Sequence, residues 1–251
     1  MTFSEILRAA ADFWRPNRYG LKKYLLNDGR RHPFAVICPG GGYSMVCSFL
    51  EGLPYAKALN ALGYHAFVVY YRVRGKARYP APQEDLERAV REIFAHADEW
   101  MLDTNGYSLW GSSAGGHLAA SFCAESRPVP KPAALILCYP VVTMSELTHW
   151  GSRESLLGKS PAPELISRLS VETRVTPDFP PTFVWCGTAD RTVDPANSRM
   201  LADALAANGV PHEFREHPGV DHGVGVGRGL ACEGWLEKAV RFWDSRREEA
   251  G

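Results

Sequence analysis

The chain has 251 residues, 45% hydrophobic and 11% aromatic, enough to bury a substantial core within one large domain. Lys+Arg and Asp+Glu both number 28, so the formal net charge is zero. With that balance, and with no polybasic tract in the sequence, neither a nucleic acid nor a membrane surface is an expected partner.

The first residues, MTFSEILRAAADFW, carry Glu5 and Asp12 and hold no long apolar run, so no signal peptide is expected there. No run elsewhere reaches transmembrane length. Residues 1–33 read as a lead-in. FAVIC (34–38) is a buried-strand run that ends at Pro39 and three glycines. Pro54 opens a helix with Ala58, Leu59 and Leu62 inward and Gly63 as its stop. AFVVYY (66–71) is the next strand. Leu86, Ala89, Val90, Ile93, Phe94 and Ala97 then recur on one helical face. YSLW (107–110) reads as a strand, and Ala114 to Cys123 is small and helix-compatible.

ALILCYP (134–140) is a further apolar strand. Residues 141–181 break the rhythm. They carry Pro161, Pro163, Pro177, Pro180 and Pro181, show no clear strand, and read as a candidate lid or binding insert. TFVWC (182–186) resumes the strands. A helix from Pro195 to Ala207 is closed by Asn208-Gly209, and HEFREH (212–217) follows. Trp235, Leu236, Ala239, Val240 and Trp243 give the last helix an apolar stripe. Strands apolar on both faces, alternating with helices, predict a single α/β domain over 1–251 with a mostly parallel, doubly wound sheet.

The six cysteines, Cys38, Cys47, Cys123, Cys138, Cys186 and Cys232, form no C-x-x-C pair. A zinc site is not expected, and the thiols read as reduced in a cytoplasmic protein.

The chemistry gathers at strand ends. Gly111-Ser112-Ser113-Ala114-Gly115 fits G-x-S-x-G between a strand and a helix, the setting of a nucleophile elbow. Ser113 is the candidate nucleophile, with the N–H of Ala114 facing its oxyanion. PGGGY (39–43) directly follows an early strand, and Gly41 and Gly42 are the candidate second donors. The dinucleotide fingerprint fails there, because Met45 stands where the third glycine belongs. GKS at 158–160 fails as a phosphate loop, because Arg153 replaces its first glycine.

CGTADRTVDP (186–195) offers two carboxylates. Asp194 precedes Pro195 and suits a helix cap, which leaves Asp190 to orient a histidine. HPGVDHGVG (217–225) places His222 in a glycine-rich loop after the last strand, with His217 at the strand end in a structural role. His32, His65, His96, His117, His149 and His212 lie in no matching loop. Ser113, Asp190 and His222 run in the chain order that an α/β-hydrolase triad requires.

On these residues the chain resembles an α/β-hydrolase. More narrowly, it is similar to bacterial acetyl-esterase or xylan-esterase-like carboxylesterases of the hydrolase-3 type. The carrying stretches are VICPGGGY (36–43), YPAPQEDLERAV (79–90), GSSAGGHLAA (111–120), VTPDFPPTFVWCGTADRTVDPANS (175–198) and the His222 loop. Pro39 stands where hormone-sensitive-lipase relatives carry histidine, and Ser112 where they carry aspartate, which points to the acetyl-esterase branch. The resemblance implies a serine esterase for short acyl esters, acetyl especially, on a small molecule such as a sugar or xylo-oligosaccharide. No metal or organic cofactor is expected. Tyr43, Tyr139 and Trp150 are candidates for an apolar or sugar-stacking wall. Two other readings fit: an arylformamidase-like amidase with the same triad, and a hydrolase-fold protein that binds without turnover. A homo-oligomer is open, since nothing in the sequence specifies one.

Overall fold

The structure is a computed structural model that describes residues 18–250. The chain-start stretch with Glu5 and Asp12 lies outside the described residues. The sheet has seven strands: β1 (Gly20–Tyr24), β2 (Phe34–Cys38), β3 (His65–Tyr70), β4 (Ser108–Ser112), β5 (Ala134–Cys138), β6 (Thr182–Gly187) and β7 (His212–His217). Their order is β1-β3-β2-β4-β5-β6-β7, with β1 antiparallel to β3 and every other pairing parallel. Every residue of β2 to β6 is buried, because helices cover both faces and leave no position for alternation with solvent.

The helices are α1 (Ser48–Glu51), α2 (Leu53–Ala61), α3 (Ala81–Ala95), α4 (Ser113–Cys123), α5 (Trp150–Leu157), α6 (Pro163–Leu169), α7 (Ala196–Ala207) and α8 (Trp235–Ala250). On one face Leu86, Ile93, Leu118 and Leu201 of α3, α4 and α7 pack on β2 and β4 through Val36 and Leu109. On the other face Tyr55 and Leu59 of α2 and the tryptophans of α8 pack on Ile37, Trp110 and Trp185. The apolar stripe read for α8 is buried at all five positions.

Two readings need correction. Leu62 is 43% exposed, because α2 ends at Ala61; Leu59 is buried as read, together with Tyr55 and Ala56. The lead-in up to residue 33 holds a strand, β1, which pairs along β3 from Gly20↔Tyr70 to Tyr24↔Ala66. As a half-exposed edge strand of sequence GLKKY, it carries none of the apolar pattern that marks a central one.

The order of the strands locates the working edge. The chain steps from β2 outward to β3, then returns to β4 and proceeds the other way through β5, β6 and β7. The reversal lies between β2 and β4, paired from Ala35↔Ser108 to Cys38↔Gly111. In such sheets, ligands bind beyond the carboxyl ends of the strands at this switch point. The Gly40–Gly42 loop leaves β2 there, and Ser113 leaves β4 beside it.

Candidate active site

Ser113 sits at the junction of β4 and α4 with φ of 53°, a left-handed conformation rare for a residue with a side chain. The sharp turn brings α4 against the neighbouring strand. A Cβ on Gly115 would lie 2.1 Å from the Cys38 carbonyl oxygen, so only glycine fits that crossing. The Ser113 carbonyl accepts from the Val141 N–H at 3.0 Å, which fixes the turn from the far side.

Asp190 follows β6 and His222 lies in the loop after β7, and both reach the same point. The His222 Nε2 is 2.8 Å from Ser113 Oγ, and its Nδ1 is 2.7 Å from Asp190 Oδ2. The other Asp190 oxygen accepts the backbone N–H groups of Thr192 and Val193, each at 2.9 Å, which holds the buried carboxylate toward the ring. The N–H of His222 donates to Asp221 Oδ1 at 2.8 Å, and the indole of Trp235 donates to the Gly225 carbonyl at 3.1 Å, anchoring the histidine loop on α8. Asp194 Oδ1 accepts the N–H of Ala196, the first residue of α7, at 2.9 Å, although the cap position itself is Pro195, one residue later than the sequence suggests.

Three N–H groups stand free for an oxyanion. Ala114 lies in the first turn of α4, where an N–H has no intrahelical carbonyl to meet. Among the described residues no hydrogen bond takes the N–H of Gly41 or Gly42, whereas Gly40 donates its own to Glu51 Oε2 at 2.7 Å. Gly41, Gly42, Ser113 and His222 line one cleft of about 330 Å³, at the small end for a ligand pocket. A larger, shallower groove of about 1160 Å³ between Tyr79 and Arg174 holds paired Glu125, Arg127 and Arg168 and no nucleophile–base pair, so size does not locate the chemistry. Among the described residues no group of three or more His, Cys, Asp or Glu side chains could hold a metal ion. Nor is any helix there long and apolar enough to cross a membrane.

The predicted aromatic wall does not form. Tyr43 is fully buried, with its hydroxyl 2.8 Å from His117 Nδ1. Tyr139 is also fully buried. It lies edge-on to the His222 ring at 4.7 Å and donates its hydroxyl to Glu51 Oε1 at 2.8 Å. Trp150 alone of the three is at the surface, 63% exposed, with the Arg153 guanidinium 4.8 Å from its ring.

The insert does contribute to the cleft, through His149 and Gly151. His149 caps α5: its Nδ1 accepts the Ser152 N–H, which leaves the proton of the neutral ring on Nε2. Burial, followed by the nearby charge of His222, holds this imidazole below its ordinary pKa. The sequence offered no loop signature for His149. Glu51 was missed as well, although a carboxylate inside the apolar run SFLEGLPYA was a visible anomaly.

Residues 35–225 match the family model described as alpha/beta hydrolase fold. The chain is 34% identical to the acetylxylan esterase of Xylanibacter ruminicola, over 83% of this chain and 44% of that protein. It is 31% identical to the endo-1,4-beta-xylanase B of Butyrivibrio fibrisolvens, over 94% of this chain and 41% of that protein. It thus spans less than half the length of these two curated relatives. Among solved structures, the acetyl ester-xyloside bifunctional hydrolase of Caldicellulosiruptor lactoaceticus superposes with a TM-score of 0.84 at 33% identity, covering 92% of this chain and 89% of that one.

Proposed function

The chain belongs to the alpha/beta hydrolase family, and from that premise we propose that it is a serine esterase removing acetyl and other short acyl groups from small acylated alcohols, acetylated sugars or xylo-oligosaccharides among them. The observation that carries this reading is the unbroken chain Ser113 Oγ–His222 Nε2 at 2.8 Å and His222 Nδ1–Asp190 Oδ2 at 2.7 Å, opening on a small cleft.

Ser113 Oγ attacks the acyl carbon while its proton passes to His222 Nε2. Asp190 accepts from Nδ1–H, fixes the tautomer and stabilises the imidazolium. The carbonyl oxygen becomes an oxyanion held by the N–H groups of Ala114, Gly41 and Gly42, each worth about 3 kcal/mol in such sites. Collapse breaks the bond to the alcohol oxygen, which takes the proton from Nε2. Water then adds to the acyl-enzyme by the same proton path and releases the carboxylic acid. Names among the relatives, acetylxylan esterase and acetyl ester-xyloside hydrolase, support acetyl as the acyl group and a xylose-based alcohol. Trp150, exposed beside the His149–Gly151 wall, is suited to stack on a sugar ring at the rim.

The test is the initial rate of p-nitrophenyl acetate hydrolysis by the wild type and Ser113→Ala. The expected loss is at least about 10⁴-fold in kcat. Substantial turnover by the variant would overturn the assignment of the nucleophile. Rates from acetyl to octanoyl esters should fall with chain length. Faster hydrolysis of N-formylkynurenine than of any acetyl ester would shift the reading to an amidase.

A further inference from the structure

Glu51 is a buried carboxylate, 3% exposed, and the acyl-transfer steps make no use of it. Its Oε2 accepts the Gly40 N–H at 2.7 Å, and its Oε1 accepts the Tyr139 hydroxyl at 2.8 Å. We propose that Glu51 is a positioning residue of this site, clamping the loop that presents the oxyanion donors and bracing the ring beneath His222. The proposal rests on the esterase reading.

The loop has no slack at this point. A Cβ on Gly40 would lie 2.8 Å from both Glu51 Oε2 and Ser113 Cβ, so the Gly40 backbone is wedged between carboxylate and nucleophile. The Gly40 carbonyl accepts the Cys47 N–H at 2.9 Å, and the Gly41 carbonyl accepts from Ser44 at 2.9 Å and Met45 at 3.1 Å. In a trans peptide the N–H points opposite to the carbonyl. Pinning these carbonyls on the α1 side therefore turns the Gly41 and Gly42 N–H groups the other way. Glu51 holds the one N–H of the glycine run that is not turned outward. Through Tyr139 the same carboxylate supports the ring packed edge-on at 4.7 Å from His222.

The arrangement is costly, which argues for a use. Burial raises Glu51 above the ordinary carboxylate range, against the opposing pull of the Gly40 N–H, the Tyr139 hydroxyl and the charge of His222. Around it the Cys47 thiol is pushed up to about 12, and Cys138, Tyr55, Tyr71 and Tyr139 are also raised by burial, so all stay neutral where esters are hydrolysed. A carboxylate with a raised pKa in the folded state loses stability as pH rises through that value. Glutamine in its place escapes that loss, but its single acceptor oxygen cannot take both the Gly40 N–H and the Tyr139 hydroxyl proton, so one arm of the clamp is released.

The experiment compares wild type, Glu51→Gln, Glu51→Ala and Tyr139→Phe with p-nitrophenyl acetate, counting active serines with a fluorophosphonate and measuring Tm at about pH 8. For Glu51→Gln the expected result is a kcat per titrated serine lower by about tenfold, a KM within about threefold, and a Tm held or raised. Glu51→Ala should lose more. If it fails to fold, Tyr139→Phe, which keeps the ring and removes its hydroxyl, should still lower kcat by about threefold or more. Wild-type kcat per titrated serine in both Glu51→Gln and Tyr139→Phe would overturn the proposal. A wild type that neither turns over nor is phosphonylated would instead remove the esterase reading itself.

Discussion

The cleft has two sides built on different principles. Ser113, Asp190 and His222 each stand just past a strand end, and backbone geometry delivers them: a left-handed turn at Ser113, a pair of N–H groups on Asp190, a glycine-rich loop at His222. The facing side, Gly40 to Glu51 with His149 and Gly151, is assembled by side chains reaching across the fold. Glu51 meets Tyr139 from 88 positions away, and His149 stands next to Gly42 with no strand end to place it. In the proposed esterase, the side fixed by chain order supplies the reaction. The side fixed by long-range contacts is there proposed to shape what reacts.

Disabling the first side should have the larger effect. Asp190→Asn keeps the shape but no longer enforces the Nδ1–H tautomer of His222, and kcat for p-nitrophenyl acetate should fall by about 10³–10⁴-fold with a nearly unchanged Tm. A loss under tenfold would mean that another group orients the ring.

A second prediction concerns the packing behind the elbow. Burial of His117 lowers its pKa to about 4, and its two nitrogens lie 2.8 Å from the Tyr43 hydroxyl and from the Leu169 carbonyl oxygen. The unfolded chain takes up this proton below about pH 6.5, whereas the folded chain resists it until about 4. Stability is therefore complete above the unfolded value and should fall by about 3 kcal/mol as pH drops through that window. Urea midpoints between about pH 7 and 4 measure the slope, which His117→Gln should flatten.

The smallest effect belongs to the facing side. His149→Ala removes both the Nε2–H donor and a helix cap, and His149→Asn restores the cap alone. Both should lower kcat/KM for an acetylated xylo-oligosaccharide by about three- to tenfold, with p-nitrophenyl acetate less affected. An equal loss on the two substrates would assign His149 to the common acyl pocket rather than to the alcohol.

The same division explains what could be read from the sequence. β2, β5 and β6 announce themselves because strands covered on both faces are continuously apolar, and β7 was placed residue for residue. β1 escaped because an edge strand can be GLKKY. The meeting of Ser113, Asp190 and His222 is legible because each is tied to a strand end by a local motif. Tyr43 and Tyr139 misled because a tyrosine beside a glycine loop or after a strand looks like a cleft wall, and the sequence does not say which way a ring turns. Here both turn inward, to His117 and Glu51. His149 and Glu51 carry no local motif, since their partners are distant in sequence.

The wall that carries His149 hangs on a single connection between two adjacent strands, β5 and β6. Its seam runs across several elements: the Tyr79 N–H donates to the Leu156 carbonyl at 3.0 Å, and the His117 ring lies 2.8 Å from the Leu169 carbonyl oxygen. Asn197 Oδ1 accepts the N–H groups of Val142 and Thr143 at 3.0 and 3.2 Å, and its amide donates to the Leu147 carbonyl at 2.9 Å. The same insert sends Leu156, Leu169 and Val171 into the core that covers the sheet. The wall is thus no detachable cassette: whatever reshapes it must also repack the core behind it.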